Sequence, residues 1–176
     1  MATTHPDRLH YTGNDEADEL LAREPFALLI GFALDQQVPV QTAFSGPLKL
    51  KQRLGTLDPG KIAATDPARL EEVFREKPAI HRFPGNMAKR VQDLAVVVVA
   101  DYGGDAERIW SEAADGAELR RRIAALPGFG DMSHGNSAVL SISAALGATR
   151  SRERSRTRSR ISRCSGVSRS LGTAGV

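Results

Sequence analysis

A single cysteine, Cys164, stands in a chain of 176 residues. No intramolecular disulfide can form, and neither a four-thiolate iron–sulfur site nor a cysteine-built zinc site can be assembled. The four histidines, His5, His10, His81 and His134, are scattered without ligand spacing, so no metal and no cofactor are expected. No apolar run approaches the ~20 residues that cross a bilayer, and the N-terminal residues show no basic and then apolar leader. The expectation is a cytoplasmic protein that works away from membranes. Ser-His-Asp, Cys-His and P-loop arrangements are also missing, which leaves no nucleophilic or nucleotide-hydrolysing motif.

Other absences are local. No lysine follows Lys89, no aspartate follows Asp131, and residues 133–176 contain no aromatic and no proline. That same segment holds eleven serines and eight arginines against one acid, Glu153, and includes the alternation RSRERSRTRSR from Arg150 to Arg160. Its charge is +7 while the whole chain carries +3, so residues 1–132 are net acidic at −4. The basic isoelectric point belongs to the tail, and composition alone would not mark the remainder as a binder of polyanions. Beyond about Thr149 the apolar content is too low for independent folding. Two readings of residues 149–176 stand: a basic disordered extension that adds nonspecific affinity for phosphate, or out-of-frame translation of GC-rich DNA from about codon 132, which yields Arg, Ser, Gly and Ala.

What is present reads as helix. Asn14 precedes Asp15 and Glu16, an N-cap followed by acids in a first turn, with Ala17, Leu20 and Leu21 on the apolar face. The run after Glu24 and Pro25, from Phe26 to Leu34, is apolar on nearly every side and belongs at the centre of the fold. Val38-Pro39-Val40 breaks it, and Gly46-Pro47 then predicts two short helices across Ala43 to Leu54 rather than one. Asp58-Pro59 and Asp66-Pro67 each place an oxygen-bearing cap before a proline at the first helical position, which predicts helices over 59–64 and 67–75. Residues 77–85 read as a connecting loop. Val96 to Val99 is a β-branched run, yet Met87, Val91, Leu94 and Ala95 have helical spacing and a lone strand would lack partners. One buried helix from Asn86 to Ala100 is expected, then a short one over 105–111 with Trp110, and another over 117–125.

The remaining motif is Leu126-Pro127-Gly128-Phe129-Gly130. Proline ends the helix before it, and the glycines permit positive φ and close backbone approach. A second helix beginning near Asp131 would turn its unpaired amides toward an anion held at the turn. Val139, Leu140, Ile142, Ala145 and Leu146 are spaced for one such amphipathic helix, which places the hairpin over 118–148.

This pentapeptide resembles the hairpin of the helix-hairpin-helix DNA glycosylases, the HhH-GPD superfamily of base-excision repair. Leu28 to Val38 (LLIGFALDQQV) resembles the superfamily's helix with a paired-glutamine signature, and Arg82 to Tyr102 resembles the helix that precedes the hairpin helices. The three landmarks keep the superfamily's order over roughly residues 15–132. The resemblance implies an all-α, two-lobed domain over residues 1–148 that is monomeric and binds double-stranded DNA. Phosphate would be held by Leu126, Pro127, Gly128, Phe129 and Gly130 with Arg121 and Arg122 and, from the central helix, Lys89 and Arg90. Gln36 and Gln37 would face the base pocket. The implied reaction is hydrolysis of the N-glycosidic bond of a damaged base. Members of the superfamily place an aspartate after the hairpin to counter the positive charge that develops on the sugar, and bifunctional members add a lysine. This chain departs from that pattern, and Asp35 is the carboxylate left near the glutamines. A noncatalytic DNA-binding module and a helical interaction protein without a nucleic-acid role are the alternatives.

Overall fold

A computed structural model of the protein describes residues 8–129. All regular structure among the described residues is helical: α1 (Asp15–Arg23), α2 (Pro25–Leu34), α3 (Val40–Leu54), α4 (Pro59–Ala64), α5 (Pro67–Arg75), α6 (Pro84–Tyr102), α7 (Arg108–Ser111) and α8 (Gly116–Ala124). The expected all-α class holds. No helix among the described residues is long and apolar enough to cross a membrane.

Short polar caps set most of the boundaries. The Asn14 side chain accepts from the amides of Glu16 and Ala17 at the start of α1. Asp58 Oδ1 accepts from the Lys61 amide at 2.9 Å and Asp66 Oδ2 from the Arg69 amide at 3.1 Å, each just before a proline. These two helices occupy the residues that the sequence predicts. Asp115 caps α8 in the same way, accepting from the Glu118 amide at 2.8 Å. That bond and one from the Ala117 amide hold the Asp115 carboxyl below its usual range.

The fold departs from expectation at α3, which is one helix of 15 residues with Pro47 inside it. Proline costs this helix a hydrogen bond, but tertiary packing outweighs the local defect. Gly46 and Pro47 are buried, and a Cβ at Gly46 would lie 2.5 Å from Leu34 Cδ1 and 3.3 Å from Ile80 Cγ2. The small residue therefore lets α3 close against α2. The helix α6 is a second, smaller correction. It starts at Pro84, inside the stretch read as loop, and it is buried on one face only, since Val96 and Val99 are exposed. The β-branched run remains helical because Val91, Leu94, Ala95 and Val98 fill the core from that face.

Helices α1, α2 and α3 pack together, and α4 and α5 pack on α6. Contacts of α2 with α6 and of α3 with α5 join the two groups. Helix α2 sits deepest, with Ala27, Leu29, Ile30 and Leu34 wholly buried. Arg53 ties the end of α3 to α5 and to the connection after it, donating to the carbonyls of Val73 at 2.9 Å and Pro78 at 2.7 Å. This staple, with the deep burial of Ile80, fixes the segment that enters α6.

Candidate nucleic-acid interface

The C-terminal end of α2, the start of α6 and the hairpin turn meet around one open cleft of about 550 Å³. Gln36, Gln37, Phe83, Asn86, Lys89 and Arg90 line it, together with Pro127 and Gly128. Met87 and Asp93 complete the lining, and six of these ten are residues singled out for the site in the sequence, drawn from three separated stretches. The additions are Phe83, from the stretch 77–85 read as a connection, and Asn86, Met87 and Asp93, from the helix expected over Asn86 to Ala100.

Each element contributes for a local reason. At the end of α2 the helix stops with Asp35, whose amide reaches back only to Phe32 O at 3.3 Å, and Gln37 adopts a φ of 57°. A non-glycine residue in that region is uncommon and is held there by its surroundings. The Gln36 side chain supplies one hold, since its Nε2 donates to the Gly128 carbonyl at 3.2 Å. At the hairpin, the Phe129 amide donates to the Leu126 carbonyl at 3.1 Å and Gly128 has a φ of 87°. Pro127 and Gly128 thus take the two central positions of a tight turn, the arrangement that needs glycine second. Leu126 and Phe129 are buried and anchor the turn from below.

Helix α6 enters the cleft with Lys89 and Arg90. Lys89 is exposed and paired with Asp93 at 2.6 Å, one turn along. Arg90 is half-buried and lies directly on the hairpin, where a Cβ at Gly128 would be 2.8 Å from Arg90 Nε. Its Nη1 is buried without a hydrogen-bond partner among the described residues. Phe83, 41% exposed, carries the Arg82 guanidinium 4.9 Å above its ring at the same mouth.

Three expected residues lie elsewhere. Arg122 is bound by Glu118 at 2.6 Å and donates to the Arg108 carbonyl, so its guanidinium serves the packing of α8 on α7. Arg121 is exposed on α8, away from the cleft lining. Asp35 is half-buried at the end of α2 and is likewise not among the lining residues. Gly130, the helix expected from Val139 to Leu146 and the Arg/Ser-rich tail lie outside the described residues.

The model of the HhH-GPD superfamily base excision DNA repair protein matches residues 30–164, more than half of the chain. The chain belongs to the HhH-GPD superfamily. The matched span takes in the glutamine pair, all of α6 and the hairpin, and continues past residue 132, where the composition changes. No curated protein and no solved structure matches the chain. Membership accounts for the order of the three cleft-forming segments in this HhH-GPD protein. Phe83 was not visible as a cleft residue in the sequence, nor His81 as its buried neighbour, because nothing in the local pattern of residues 77–85 distinguishes them from any loop.

Proposed function

We propose that this HhH-GPD protein is a base-excision repair glycosylase-like protein that binds duplex DNA across the cleft and hydrolyses the N-glycosidic bond of a damaged base. The observation that carries the DNA-binding part is the buried Nη1 of Arg90 beside the hairpin turn, which has no hydrogen-bond partner among the described residues. A buried guanidinium N–H without an acceptor is costly. Arg90 is only half-buried and lines the cleft, so a turn of its guanidinium outward would offer this N–H to a phosphate oxygen while the hairpin presents its backbone to the same strand. Gln36 and Gln37 line the same cleft, and the exposed Gln37 supplies an amide able to bond to a base edge or fill the gap an extruded base leaves, while Gln36 is held on Gly128.

For the chemistry, the family resemblance asks for a carboxylate beside the developing sugar cation, and Asp35 is the residue assigned to it. A second reading, a noncatalytic DNA-binding module, is favoured by one observation. The carboxylate that does line the cleft, Asp93, is paired with Lys89, while Asp35 stands outside the lining.

Two measurements test these readings on the 176-residue chain. Duplex binding is expected to weaken as salt rises, because phosphate contacts release counterions; binding that is absent at low salt sinks the DNA reading. Single-turnover incubation with duplexes carrying uracil, an alkylated purine, oxidised guanine or an adenine mismatch then separates the two. Base release that Asp35→Asn abolishes supports the glycosylase, and salt-sensitive binding without release supports the noncatalytic module.

A further inference from the structure

His81 is the buried titratable side chain to which the DNA-binding reading gives no part; it is 2% exposed. Its ring lies between two backbones. Nδ1 accepts from the Phe83 amide at 3.1 Å, and Nε2 is 3.0 Å from the Gln36 carbonyl oxygen. An amide can only donate, so Nδ1 is the bare nitrogen, and the single ring proton sits on Nε2 and is donated to Gln36. Gln36 in turn sends its side-chain amide to the Gly128 carbonyl at 3.2 Å. Three hydrogen bonds therefore run in series from the segment entering α6, through the end of α2, to the hairpin.

We propose that His81 is a positioning residue, a latch that keeps Phe83, in the cleft lining, tied to the end of α2 while the ring is neutral and lets it go when the ring takes a second proton. The inference rests on the DNA-binding reading of the cleft. A second proton must go to Nδ1, where it would face the Phe83 N–H, donor against donor, and that bond would be lost. The charged groups that bear on the ring are Arg82 on its own segment and Arg90 on α6, both cationic and both opposed to the imidazolium. From α2 the backbones of Leu34 and Gln36 favour the proton, but burial is the largest influence and holds the pKa below its ordinary value. Acidification below about pH 6.5 therefore works against the latched arrangement.

The sign separates this device from a bystander. A histidine that simply gained charge near DNA would strengthen phosphate binding as pH falls. A latch that opens weakens it.

The test uses the full chain, wild type, His81→Gln and His81→Leu, titrated against a fluorescent 20-base-pair duplex at one low salt concentration from pH 8 to pH 5. The glutamine amide can donate and accept in the ring's place and cannot titrate. Wild-type affinity is expected to fall about fivefold or more on acidification, the change of one lost hydrogen bond. His81→Gln should bind like wild type at pH 8 and stay level, and His81→Leu should be weak throughout. Nitrogen-15 spectra of the wild type should show the Nε2–H tautomer and a Phe83 amide proton that moves upfield as the ring titrates, the mark of a lost hydrogen bond. A fall shared equally by His81→Gln, affinity that rises in acid, an Nδ1–H tautomer, or a Phe83 amide indifferent to the titration each overturns the latch. If no form binds DNA at any pH, the DNA-binding reading falls. The spectra then decide the latch by themselves, with loss of the Phe83 hydrogen bond on titration of His81 upholding it and its retention refuting it.

Discussion

Gln36 and Gly128 lie 92 positions apart in the chain, and the side-chain amide of the first donates to the carbonyl of the second at 3.2 Å. This bond carries the hairpin turn onto the end of α2. Gln36→Ala leaves the Gly128 carbonyl without that donor, which should cost about 1 kcal/mol in urea-induced unfolding. The larger effect is expected in function, a roughly fivefold loss of duplex affinity at fixed salt, because the turn is freed from the cleft wall. Affinity equal to wild type would show that the hairpin holds its place without the glutamine.

Gly128 and Gly104 share a positive φ, 87° and 84°, yet differ in what surrounds them. Around Gly104 a Cβ would meet nothing within 4 Å, whereas at Gly128 it would overlap Arg90 Cδ. Gly104→Ala should therefore cost only the backbone strain of the left-handed region, about 1 kcal/mol. Gly128→Ala should cost clearly more in the same denaturation experiment, and should also weaken DNA binding by displacing Arg90. Equal losses at the two positions would mean that Arg90 moves aside freely.

Arg90 is expected to make a phosphate contact that Lys89, paired with Asp93, makes less fully. Arg90→Gln should lower duplex affinity at every sequence and reduce the slope of log affinity against log salt by about 1. Lys89→Gln should change the slope less. Measuring both slopes across a range of salt decides the ranking, and a larger change at Lys89 would reverse it.

The helix boundaries were legible wherever a short polar cap set them. Asn14, Asp58 and Asp66 act over two or three residues, so their chemistry is visible in any window that contains them. Pro47 misled because its cost is local while its compensation, the closure of Gly46 on Leu34 and Ile80, is set by residues far along the chain. The site divides in the same way. Gln36, Gln37, Arg90, Pro127 and Gly128 carry recognisable motifs and do converge on one cleft. Arg121 and Arg122 matched as charges, but the turn of α8 that bears them directs Arg122 to Glu118 and α7. His81 carried no signal, since its role depends on two backbones and no side-chain pattern.

Asp18 governs a different part of the molecule, the arm that precedes α1. Its side chain is buried, and Oδ1 accepts from the Tyr11 amide at 3.2 Å, the Thr12 amide at 3.0 Å and the Thr12 hydroxyl at 2.9 Å. The arm so held lays Tyr11 flat on Phe44, with ring centroids 4.5 Å apart, and edge-on to Phe32. Asp18→Ala would strand two amides and the hydroxyl and release the aromatic stack, a loss of about 3 kcal/mol. Asp18→Asn retains an acceptor oxygen in nearly the same shape, so about 1 kcal/mol is expected, the difference between a charged and a neutral acceptor. Amide hydrogen exchange locates the effect. Tyr11 and Thr12 should lose protection in the alanine variant while Leu29 and Ile30, deep in α2, keep theirs until global unfolding. Uniform loss of protection along the chain would instead make the arm part of the cooperative core.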